Sequence, residues 1–178
     1  MKHEGFTLWF TGLSGAGKST LSDRVMKRLL ENGARAELMD GDEVRAALSP
    51  NLGFTHEDRD TQVRRLGFVS RLLSRNGVIS VVAAISPYRE TRDEVKRGIP
   101  HFVEVFVDCP LEVLASRDVK GLYKRALAGE LPHFSGISDP YEAPHMPDIV
   151  VHSDRESVEE SVGKIWSELL RRGLVRES

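Results

Sequence analysis

Near its start the chain carries an apolar run, Phe6–Phe10, followed after Thr11 by the stretch "GLSGAGKST", residues 12–20, and then by a helical pattern. The spacing is G-x-x-x-x-G-K-S, with Gly12, Gly17, Lys18 and Ser19 at the defining positions, and it demands strand, tight turn and helix in that order. The glycines let successive backbone N–H groups point at one centre, and the helix N-terminus behind them adds partial positive charge. The ligand such a turn suits is the phosphate chain of ATP. Gly12, Leu13, Ser14, Gly15, Ala16, Gly17, Lys18, Ser19 and Thr20 form the cradle. Lys18 is placed to meet the β- and γ-phosphates, and the Ser19 hydroxyl to ligate Mg²⁺. The G-x-G-x-x-G spacing of a dinucleotide site is absent, which argues against NAD.

The rest of the chain alternates strands with helices. Short runs of nearly continuous apolar character at Ala36–Met39, Val78–Ile85, Phe102–Val107 and Asp148–Val151 read as strands buried on both faces. A helix is expected over Lys18–Glu31 with Gly33 as its cap, and another over His56–Arg75, with Val63, Leu66, Val69 and Leu73 on one face. Ser157 and Glu160 form a capping box. The helix they open carries Val158, Val162, Ile165, Trp166 and Leu169 on its apolar face and ends at Gly173. This alternation predicts an α/β chain with the P-loop nucleoside-triphosphate hydrolase fold, a parallel sheet with helices on both faces. Ligands then gather at the carboxyl ends of the strands. Its 178 residues suit one domain. Residues 128–147, "AGELPHFSGISDPYEAPHMP", are rich in Gly and Pro, and beside a phosphate site they read as a lid.

Composition narrows the setting. A formal net charge of -2 gives no reason to expect nucleic acid or an anionic membrane as partner. The single cysteine, Cys109, lies in an apolar run and reads as a small core residue. No stretch resembles a signal peptide or a membrane span, so a cytoplasmic location is the expectation.

The second strand runs into "DGDEVR". Asp40 and Asp42 flank a glycine at a strand's carboxyl end, beside the cradle. Two acids there suit a Mg²⁺ site and deprotonation of an acceptor hydroxyl. As a bare dipeptide signal, Asp-Gly equally marks a solvated turn.

With these pieces in place the sequence resembles the adenylylsulfate kinases. The resemblance runs from about residue 5 to residue 152 and rests on "GLSGAGKST", "DGDEVR", "GFTHEDR", "ISPYRETRD", "FVDCPLEV", "RDVKGLYKRA" and "FSGISDPYEAP" in that order. It implies transfer of the ATP γ-phosphate to the ribose 3′-hydroxyl of adenosine 5′-phosphosulfate, giving 3′-phosphoadenosine 5′-phosphosulfate in sulfate assimilation. Arg45 and Arg59 match arginines that hold the phosphosulfate. Phe54 and Phe134 match an aromatic pair that sandwiches the acceptor's adenine. Asp40, Ile85, Lys120 and Leu122 match further substrate-side residues. Lys18 and Asp42 take the catalytic roles, with Asp42 also joining Ser19 at the metal. Ser86 matches a serine for which a phosphoenzyme role has been proposed. The only acid close to it in sequence is Glu90, however, so direct transfer is the simpler chemistry. Family members are commonly dimers, and some work beside a sulfurylase.

Two positions depart from the family. Gln62 stands where Asn is usual in the acceptor site, and Ser138 where the lid motif often has an acid. Two other readings share the cradle. A kinase for another small molecule has no need of two acceptor-side arginines with two loop phenylalanines. A non-catalytic nucleotide-binding module has no need of Lys18, Ser19 and both aspartates.

Overall fold

The computed structural model describes residues 4–176 and contains a five-stranded sheet in the order β2-β3-β1-β4-β5, every neighbouring pair parallel. The strands are β1 (Thr7–Thr11), β2 (Ala36–Asp40), β3 (Ile79–Ala83), β4 (Phe102–Asp108) and β5 (Ile149–His152). The helices are α1 (Lys18–Glu31), α2 (Gly41–Leu48), α3 (His56–Arg75), α4 (Arg89–Arg97), α5 (Leu111–Arg117), α6 (Leu122–Leu127) and α7 (Val158–Arg171).

Strand alternation divides the core in two. Leu8 and Phe10 of β1, Val81 of β3 and Val103, Val105 and Val107 of β4 face α1 and α7, where Val25, Leu29, Ile165 and Leu169 meet them. Trp9, Met39 and Val82 point the other way, onto Val63 and Leu66 of α3 and Val95 of α4. Helices therefore cover both faces, as the buried strands require. Each fully buried aliphatic or aromatic side chain contributes roughly 1.5–3 kcal/mol, so these two layers dominate the stability.

α1 and α3 keep the expected limits, and α7 starts from the Ser157–Glu160 capping box, with both reciprocal bonds made. A second box, Thr55 with Asp58, opens α3. The third strand is shorter than its apolar run. It ends at Ala83 rather than Ile85, because Ser86 adopts φ 43° and Pro87 follows, turning the chain away from the ladder. The short helices α2, α4, α5 and α6 carry no long apolar period. In the polar α4, for example, only Thr91, Arg92 and Val95 are buried. Among the described residues no helix is long and apolar enough to cross a membrane.

Candidate active site

β1 delivers the chain into the glycine turn, and Gly12 is there for space. A Cβ at that position would lie 2.5 Å from Val107 O, on the neighbouring strand. The turn closes with Ala16 N donating to Leu13 O, and Gly17, at φ 102°, leads into α1. The first turn of α1 contains no acid of its own. Lys18 is buried and its Nζ donates to Gly12 O and Leu13 O, both at 2.8 Å. Burial pushes its pKa down to about 8; Lys120 adds to this, and Asp42 and Asp40 oppose it. Ser14, Gly15, Ser19 and Thr20 continue the same wall, and Tyr123 Oη holds Ser14 O at 2.7 Å.

The two aspartates have different surroundings. Asp40 ends β2 and caps α2: its Oδ1 accepts from Asp42 N at 2.9 Å and Glu43 N at 3.4 Å. Its Oδ2 accepts from Ser19 Oγ at 3.2 Å. The Ser19 hydroxyl is thus bonded to Asp40 and not to Asp42, because the cap directs the Asp40 carboxylate at α1. The Asp42 side chain is exposed, with Lys120 Nζ at 3.8 Å.

A cleft of about 500 Å³ runs from Lys18 along the N-terminal parts of α2 and α3, and it brings the expected acceptor residues together. Arg45 Nη1 donates to Gly53 O at 2.6 Å, and its guanidinium lies 4.8 Å from the Phe54 ring. Arg59 donates to Phe54 O at 3.1 Å and to His133 O at 2.6 Å, with its guanidinium 5.4 Å from the same ring. Phe54 is 52% exposed, which is far from core packing. Phe134 borders the same cleft but leans edge-on against Tyr123, ring centroids 5.2 Å apart. Gln62 is buried. Its Nε2 makes one long bond to Gly41 O, 3.4 Å, and its Oε1 has no protein partner. Ile85, Ser86, Lys120 and Leu122 complete the lining.

Several residues here gave no signal in the sequence. Trp9 Nε1 donates to Ser86 Oγ, Tyr141 Oη bonds Thr11 Oγ1, and Arg92 donates to Ser86 O. Ser135, in the cleft wall, is buried with its Oγ lacking a protein partner. Arg64 is spent on Glu94, and Arg65 on Leu48 O and Ser49 Oγ, so these two stand outside the acceptor set. Residues 128–147 contain no helix or named strand, yet Tyr141 is tied to Thr11 of β1, and Glu142 and Ala143 to the loop after β3 and to α4, by side-chain and backbone bonds.

The profile of the family described as adenylylsulphate kinase matches residues 4–152. The adenylyl-sulfate kinase of Microcystis aeruginosa is 54% identical over 178 residues, covering all of this chain and 98% of that protein. A probable bifunctional SAT/APS kinase of Sorangium cellulosum is 55% identical over 96% of this chain, which corresponds to 29% of its own length. Among solved structures, the Mycobacterium tuberculosis APS kinase in complex with AMPPNP and APS superposes with a TM-score of 0.89 at 42% identity, covering 94% of this chain and 98% of that one. A hexameric APS kinase from Thiobacillus denitrificans gives 0.75 at 34% identity, over 99% of this chain and 31% of that one.

Proposed function

The chain belongs to the adenylylsulphate kinase family, and on that premise we propose that it moves the γ-phosphate of ATP to the ribose 3′-hydroxyl of adenosine 5′-phosphosulfate. The product is 3′-phosphoadenosine 5′-phosphosulfate, a step of sulfate assimilation. The observation that carries this reading is the single cleft that joins the phosphate cradle at Lys18 to the Arg45–Phe54–Arg59 cluster. A cradle alone serves any P-loop kinase. A stacking ring between two forked cations fits an acceptor with a base and a dianionic tail.

The chain's own groups divide the work by position. Lys18 places its ammonium against charge developing on the transferred group, once it exchanges the Gly12 and Leu13 carbonyls for phosphate oxygens. Asp42, not held by backbone amides, orients the 3′-hydroxyl and takes its proton. Each guanidinium has five N–H donors. The bonds Arg45 makes to Gly53 O, and Arg59 to Phe54 O and His133 O, leave donors for the phosphosulfate. Phe54 and Phe134 take the adenine, and Gln62 Oε1 is an acceptor waiting for a donor in the cleft. Catalysis of this kind is mostly positioning and preorganised charge.

Mg²⁺ suits the oxygens present. Ser19 Oγ and Asp40 Oδ2 lie together at the N-terminus of α1, and no cluster of three or more acidic, His or Cys ligands exists among the described residues. That is the sparse donor set of an ion that keeps waters and substrate phosphates as its other ligands. When bound, the ion neutralises charge on the β- and γ-oxygens. Residues 128–147 act as the lid, closing Phe134 over the acceptor. The working unit is a homodimer in the cytoplasm, a compartment that suits the buried thiol of Cys109. The bifunctional relative favours an arrangement in which the chain works beside a sulfurylase.

The test is ADP release from ATP and Mg²⁺ with and without adenosine 5′-phosphosulfate, with the product identified. Release that depends on the sulfated nucleotide and yields the 3′-phosphate supports the reading. Equal release with adenosine or a sugar overturns it.

A further inference from the structure

Arg92 of α4 is 2% exposed, among the largest fully buried side chains, and belongs to none of the groups used above. Its guanidinium reaches three separate segments. Nε donates to Glu104 Oε1 of β4 at 3.3 Å, Nη1 to Ser86 O at 2.5 Å and Nη2 to Glu142 O at 2.5 Å. Burying a charge is costly unless it is paired and hydrogen-bonded. Glu104 provides the pairing. The two carbonyl bonds go further than charge balance needs: one falls on Ser86, which lines the cleft, and the other on Glu142, outside the lining.

One carbonyl belongs to Ser86, whose φ of 43° is a conformation that residues other than glycine seldom adopt, so surrounding contacts must hold it. The other belongs to the irregular segment that bears Phe134. From Glu142 the connection back to Phe134 is short and stiff, because Ser138 N and Asp139 N both donate to Phe134 O and Gly136 N donates to Asp139 O. Glu142 N also donates to Pro87 O at 2.8 Å, and Glu142 Oε2 accepts from Arg89 N at 2.7 Å. Nη1 and Nη2 are coplanar in one rigid group, so together they fix the distance between their two acceptors. A lysine ammonium on a flexible stem cannot do this.

We propose that Arg92 is a positioning residue that sets the gap between the acceptor wall at Ser86 and the segment carrying Phe134, and so governs acceptor binding while leaving ATP binding alone. The phosphate cradle is held by its own turn and by α1, and Arg92 makes no bond to either. The proposal rests on the adenylylsulfate kinase reading. Turnover of the wild-type protein on the sulfated nucleotide tests that reading by itself, and variant-to-wild-type ratios, on whichever acceptor the wild type uses, test Arg92.

Two variants are measured. Arg92→Lys keeps the charge for Glu104 and loses the fork. Arg92→Gln with Glu104→Gln removes both buried charges and leaves an amide unable to span both carbonyls. For each, the apparent KM for acceptor and for ATP is determined beside the thermal midpoint. Losing one charged hydrogen bond is worth enough to raise the acceptor KM about tenfold, with the ATP KM within about twofold of wild type, in every variant that folds. KM values that rise together, or that stay unchanged while the midpoint falls, overturn the proposal. So does failure of both variants to fold, which would assign the guanidinium to stability alone.

Discussion

Trp9 Nε1 donates to the Ser86 hydroxyl at 2.9 Å, and that hydroxyl in turn donates to Ala84 O at 3.2 Å. The Ser86 proton therefore points at a main-chain carbonyl in a buried pocket, and among the described residues no carboxylate or imidazole bonds the hydroxyl to remove it. A serine so placed is a poor nucleophile. Transfer from ATP chiral at the γ-phosphorus should invert configuration, as a single in-line displacement does. Ser86→Ala should keep substantial turnover and lose about 1–3 kcal/mol of stability from the orphaned indole N–H. Retention of configuration, or label trapped on Ser86 at the rate of turnover, would reject direct transfer.

Lys18 offers a pH test. Its pKa lies at about 8 in the folded protein against 10.5 for the free side chain. The unfolded chain therefore binds the extra proton between those values, and this residue's contribution to stability rises with pH across that window. Phosphates arriving at Nζ favour the ammonium and draw the proton back. Calorimetry of ATP binding in buffers of different ionisation enthalpy should show proton uptake at pH 8.5–9 (about half a unit or more above the folded value). In Lys18→Met the uptake should vanish, and turnover should fall by about two to three orders of magnitude. Uptake that persists in Lys18→Met would place the titrating group elsewhere.

The two aspartates should separate by what they lose. Asp40→Ala removes a helix cap worth about 1 kcal/mol together with the acceptor for Ser19 Oγ, so stability and Mg²⁺ dependence should both suffer. Asp42→Asn touches no backbone bond. Its thermal midpoint should match wild type while kcat falls by about 10²–10⁴, the usual range for a lost general base. A folded Asp42→Asn with near wild-type kcat would remove it from the chemistry.

Phe54 and Phe134 should not be equivalent. Each alanine substitution should raise the acceptor KM by the loss of about 1–3 kcal/mol of base stacking and leave the ATP KM nearly unchanged. Phe134 also packs against Tyr123 and the core beneath it, so its removal should cost stability as well. The exposed Phe54 should cost little. Thermal melts beside steady-state kinetics distinguish the two, and a loss confined to ATP binding would put the sandwich on the wrong nucleotide.

Local chemistry determined much of this protein before any tertiary contact formed. The cradle is legible because its glycines, lysine and serine work within one turn, although the carbonyl that crowds Gly12, Val107 O of β4, arrives only with the sheet. The limits of α1 and α3 and the capping box of α7 are likewise local, set by periodicity and by bonds spanning three residues. The acceptor residues could be named from their motifs, but not arranged. Their partners lie up to 74 residues away, as with Arg59 and His133 O, and main-chain carbonyls carry no mark in a sequence. For the same reason Arg92 reads as one more charge on a polar helix, although it is buried against Ser86, Glu104 and Glu142. Only the folded sheet decided that Ser19 meets Asp40 rather than Asp42, because the direction of a carboxylate depends on which amide N–H groups it caps. Residue types and short spacings specify what a turn can bind; the distances that turn separate residues into one site exist only after β3, α4 and the segment at 128–147 have packed together.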